Sequence, residues 1–184
     1  MINPNTMQAM FLIKEFYANR TTKRHAIPLM DHIEHGVKVL KELGASDAAT
    51  AAFALHPMFQ DDEALQENEL VLHALDPFVV ALVMEYRNIA NQGLRGKTPP
   101  SEISIPLVEV RQMLIADKVQ NRYSFLKYHK NTHPHAAVLN DYFDAWLAAL
   151  GVDAARYESL VATFNEPQGE TDEQLRRPPA EHTA

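Results

Sequence analysis

A chain of 184 residues with 46% apolar residues is long enough for one well-cored domain, and the absence of cysteine excludes a disulfide framework and a thiolate zinc site. The formal net charge of −7 argues against a general binder of nucleic acid or anionic membrane, which needs an excess of Lys and Arg; a local basic pocket stays open. No run approaches the roughly 18 apolar residues of a membrane span. The segment 1–16 lacks a basic start and is broken by Lys14 and Glu15, so no secretory signal is read and the cytoplasm is the expected compartment.

The chain reads as helices. Residues 6–19 place Met7, Met10, Phe11, Ile13 and Phe16 at the mixed three- and four-residue spacing of an amphipathic helix. Pro28 opens a second over 29–43, and Gly44 stands where a left-handed C′ residue closes it. Ser46 caps a third over 47–56, whose alanines predict close packing between neighbours, and Pro57 ends it. Asp76-Pro77 is an N-cap followed by a proline in the first helical position, starting a helix over 77–92. After a loop over 93–100, long helical patterns run over about 105–128 and 133–150, and a short one over 153–164. From Asn165 apolar residues nearly vanish, which predicts a mobile polar tail over 165–184. No alternating pattern is long enough for a sheet and no internal repeat is present, so the expectation is one all-α domain over 3–164 with about seven or eight helices.

Nine histidines are many for this length, yet spacing carries more weight than number. His32 lies within the second helix and His56 ends the third, 24 residues on. Consecutive antiparallel helices joined by a Gly-Ala-Ser turn can bring the two together. Asp117 follows the apolar run Met113-Leu114-Ile115-Ala116, where an unpaired carboxylate is costly to bury; a metal, or nearby Lys118 or Arg122, relieves that cost. Two imidazoles and a carboxylate suit Mn²⁺, Fe²⁺ or Zn²⁺.

Together these residues resemble the HD superfamily of metal-dependent phosphohydrolases, and within it the RelA/SpoT-type hydrolase domain. The resemblance begins at Lys23-Arg24 with Pro28 and His32, similar to the family's basic pair, proline and first metal histidine. It continues in Leu55-His56-Pro57-x-x-Gln60-Asp61, against the family's Leu-His-Asp-x-x-Glu-Asp, and in the helix start Asp76-Pro77. Arg111-x-x-Leu114-Ile115-Ala116-Asp117-Lys118-x-x-Asn121-Arg122 is similar to the Ala-Asp-x-x-x-Asn signature. The match spans about residues 15–126. It implies an HD-type helical bundle that removes pyrophosphate from the 3′ position of guanosine tetra- or pentaphosphate, usually with manganese. His32, His56 and Asp117 are then the metal ligands. Lys23 and Arg24 hold base or phosphate, Asn121 and Ser124 contact the nucleotide sugar, and Asp61 with Gln60 occupies the acid pair beside the attacking water.

Two departures stand out. Pro57 replaces an aspartate ligand, so one donor and one negative charge are lost and metal affinity should fall. Gln60 replaces a glutamate, and an amide cannot take a proton from water, help worth roughly a hundred- to ten-thousandfold in rate. Asp61 or Asp62 in a shifted loop, or His35 one turn from His32, are candidate substitutes. His35 and Asp31 otherwise read as surface residues, and His129, His133 and His135 as a solvated cluster around a turn.

Three functions follow: a degenerate HD protein that binds a nucleotide with weak or no hydrolysis, an active metal-dependent nucleotide pyrophosphohydrolase, or a protein-interaction module on an HD scaffold. In the last, the stripe Tyr142, Phe143, Trp146, Leu147 and Leu150 is a dimer face rather than core, and a homo-oligomer stays open.

Overall fold

The structure, a computed structural model, describes residues 4–18, 29–94 and 98–165. Among them it is all-helical, with nine α-helices and no strand. They are α1 (Pro4–Tyr17), α2 (Met30–Glu42), α3 (Asp47–Leu55), α4 (Asp62–Glu67), α5 (Glu69–Leu72), α6 (Pro77–Leu94), α7 (Val108–Ser124), α8 (Ala136–Ala149) and α9 (Ala154–Ala162). The segment read as a mobile tail lies, from residue 166, outside the described residues, as do Lys23, Arg24 and Pro28. No described helix is long and apolar enough to cross a membrane.

The punctuation marks act as their chemistry demands. Ser46 Oγ accepts the Ala49 amide at 3.1 Å to cap α3, and Asp76 Oδ1 accepts the Phe78 amide at 2.8 Å at the start of α6. Gly44, at φ 65°, turns the chain out of α2. Its N–H donates to Lys41 O at 3.1 Å and that of Ala45 to Leu40 O at 2.9 Å, the paired bonds of a Schellman ending.

α3 is the centre of the bundle, with α1, α2, α6 and α7 all packed on it. Its buried Ala51, Ala52 and Ala54 keep those neighbours close, as the composition predicts. One close approach shapes the site. A Cβ on Gly36 of α2 would stand 2.1 Å from the Phe53 ring, so only glycine lets that ring lie against α2. The ring then packs beside His32 and His56, with centroids 5.8 and 4.9 Å away.

Several boundaries differ from the periodicity, and four of the differences have a local cause. The Pro57 segment forms a 3₁₀ turn, His56–Met58, rather than a plain stop. The acidic stretch after it holds α4 and α5, of six and four residues, too short to show a helical period. α7 ends at Ser124 and widens into a π-helical turn, Phe125–His129, in which the Lys130 N–H reaches back five residues to Phe125 O at 2.8 Å. α8 starts three residues late because His133 Nδ1 accepts the His135 N–H at 3.1 Å, holding a turn where a helix is expected. The stripe on α8 is core: Phe143, Trp146, Leu147 and Leu150 are buried and Tyr142 is partly buried.

Candidate metal centre

His32 stands in the first turn of α2, His56 opens the turn after α3, and Asp117 sits midway along α7. Because α2, α3 and α7 pack on one another, three residues far apart in sequence meet at the floor of a cleft of about 620 Å³. His32 Nε2 lies 3.4 Å from His56 Nε2 and 3.5 Å from Asp117 Oδ1, and His56 Nε2 lies 3.9 Å from the same oxygen. Among the described residues this trio can hold a metal ion.

Each member is held from behind. His56 Nδ1 lies 2.6 Å from the Phe53 carbonyl, which can only accept, so Nδ1 carries the proton and Nε2 presents a lone pair. Outward bonds of this kind orient metal-binding histidines generally. Asp117 Oδ1 accepts from Asn121 Nδ2 at 2.7 Å and Oδ2 from Lys118 Nζ at 2.8 Å. The buried Tyr86 hydroxyl reaches this carboxylate without a well-aligned hydrogen bond.

The electrostatics follow from burial. Burial, and then neighbouring His32, push His56 down to about 4, so it is neutral at physiological pH. Burial alone would raise Asp117, but the Lys118 ammonium above all, with His32 and His56, outweighs it and holds the carboxyl at about 2. Lys118 is itself raised, because the Asp117 charge overcomes its own burial. Its ammonium also lies 5.2 Å from the Trp146 ring centroid. Lys118, not Arg122, is therefore the cation that offsets the buried carboxylate; Arg122 pairs with Asp144 at 2.9 Å and lies over the Tyr157 ring. The result is a neutral imidazole and an ionised carboxylate converging with a second imidazole, a donor set that fits a divalent cation.

The other site residues divide. Pro57, Gln60, Asn121 and Ser124 all line the cleft. Asn121 supports Asp117, however, and Ser124 Oγ accepts the Gln120 amide N–H at 2.9 Å. Asp61 is exposed, outside the cleft lining, and caps α4 by accepting the Ala64 amide at 2.8 Å. Asp62 pairs with Arg87. Lys23 and Arg24 lie outside the described residues.

Two surface expectations are corrected. Asp31 and His35 are half-buried and line the cleft, as α2 turns a wide arc inward against α7 and the turn at Phe164. The His35 ring stacks on Phe164, centroids 4.4 Å apart and planes 13° from parallel, and burial lowers its basicity. His129 and His133 also face the cleft, whereas His135 is exposed. Gln120 escaped the sequence reading, although it lies one turn beyond Asp117 on the same helical face.

Compared with known protein families, curated proteins and solved structures, the chain matches none.

Proposed function

We propose that the protein is a degenerate HD-type domain of the RelA/SpoT hydrolase kind, which holds a divalent cation, manganese by resemblance, and binds a phosphorylated nucleotide with weak or no hydrolysis. The observation that carries this is the convergence of His32 Nε2, His56 Nε2 and Asp117 Oδ1 on the floor of a cleft also lined by Pro57 and Gln60. A bound divalent cation supplies Lewis acidity toward a phosphoryl oxygen or a water. Around it, this chain's own groups position more than they react. The imidazoles and carboxylate are fixed by backbone, amide and ammonium partners. At the positions where the resemblance puts a fourth ligand and a base, Pro57 offers no donor and Gln60 cannot accept a proton to become neutral acid.

Asp31 is the observation that favours the active reading, since it is the second carboxylate lining the cleft among the described residues. Incubation with guanosine tetraphosphate and manganese separates the two. The wild type should turn over slowly or not at all, and Pro57→Asp with Gln60→Glu should raise the rate by about a hundredfold or more. Unchanged rates in the double variant would show that these positions are not the damaged part of a hydrolase. Calorimetry with guanine and adenine nucleotides tests binding, and no heat with either would leave the interaction-module reading.

A further inference from the structure

Whether neutral His32 presents a lone pair to the cluster depends on which ring nitrogen carries the proton, and a residue outside the ligand set lies against the other nitrogen. Gln120 is buried, 3% exposed, with Oε1 2.5 Å from His32 Nδ1. Its amide nitrogen donates to Ser124 Oγ at 2.9 Å, one turn further along α7. With the oxygen turned to His32, Nδ1 is the donor, and in the neutral ring the lone pair falls on Nε2. That nitrogen is the atom 3.4 Å from His56 Nε2 and 3.5 Å from Asp117 Oδ1. The reversed amide would offer N–H to Nδ1, move the ring proton to Nε2 and point a donor into the cluster. His32 would then face Asp117 as a hydrogen-bond donor and have no lone pair for a cation.

We propose that Gln120, held by Ser124, is the positioning residue that keeps the His32 Nε2 lone pair directed into the cluster and so makes the cluster receptive to a divalent cation. Ser124 acts here through the amide rather than on a ligand. The affinity consequence rests on the cation-site reading above; the tautomer is a property of the metal-free protein and does not.

The test is long-range ¹⁵N NMR of the metal-free, full-length chain in mildly alkaline buffer, paired with calorimetric titration of Mn²⁺. Wild type should show His32 as the Nδ1–H tautomer. Gln120→Leu should shift it toward Nε2–H and weaken Mn²⁺ binding by about 10- to 100-fold, the usual cost of losing such a partner. Gln120→Glu, which can accept from Nδ1–H, should restore the tautomer and the affinity, showing that the loss is of a hydrogen bond and not of the fold. If Gln120→Leu does not fold, the wild type and Gln120→Glu still decide. An Nε2–H tautomer in wild type, or an unchanged tautomer in folded Gln120→Leu, would overturn the assignment. An Nδ1–H tautomer without Mn²⁺ binding would uphold the positioning role and remove the cation site.

Discussion

The floor of the cleft and its rim at residues 57–62 are built on opposite principles. On the floor, His56 is backed by a carbonyl, His32 by an amide, and Asp117 by an ammonium and a second amide. At the rim, Pro57 carries no donor, Asp61 is spent on a helix cap and Asp62 on Arg87. Under the proposed function, holding a cation and acting on water are separable: the floor groups have their support in place, while Pro57 and Gln60 lack the ligand and the base that the resemblance assigns to their positions. Such orientation is costly to leave half made, because an unpaired buried charge or polar group destabilises more than a matched pair stabilises.

Breaking the floor should have the largest effect. Asp117→Asn leaves the Lys118 ammonium buried without its counter-charge, and denaturant unfolding should show a loss of about 3–5 kcal/mol. A change below about 1 kcal/mol would mean that Lys118 finds another partner or water.

Acid should act on the floor next. His56 has an ordinary value of 6.5 and a folded value of about 4, so the unfolded chain takes up the proton first. Stability therefore falls as pH drops from 6.5 toward 4, by up to about 3 kcal/mol. Asp117, depressed from 3.8 to about 2, adds a further loss as pH falls through that lower window. Urea unfolding of the metal-free protein across this range should show the slope, and His56→Gln should flatten it between 6.5 and 4. An equal slope in that variant would place the titrating group elsewhere.

Gly36→Ala drives a methyl into the Phe53 ring and should cost about 1–3 kcal/mol. Because that ring packs beside both histidines, the same change should displace their NMR resonances; a loss of stability with those resonances unmoved would make Phe53 only a packing residue. The rim should give the smallest effect. Asp61→Ala removes a cap worth about 1 kcal/mol and should leave metal affinity unchanged. A tenfold loss of affinity would return Asp61 to the site.

How much of this was legible follows the range of the interactions. Caps and stops at Ser46, Gly44 and Asp76 depend on residues within one turn, and the sequence shows them directly. The trio was legible because the cost of burying Asp117 and the interval between the histidines point the same way. The tasks of its neighbours were not. Asn121 and Ser124 sit on the right face but serve Asp117 and Gln120, and Gln120 meets a partner 88 residues away. Charged Glu34 and Lys38 made His35 look exposed, whereas the turn at Phe164, brought in from the far end of the chain, covers it. The rim misled for a related reason: a carboxylate after a proline turn can cap a helix as readily as it can serve a site.

The most direct measurement is the divalent metal content of the purified full-length chain after stripping and reloading with Mn²⁺ or Zn²⁺, set against His56→Ala. The account predicts near-stoichiometric metal in the wild type and none above background in the variant. Wild type that holds no more metal than His56→Ala would contradict it.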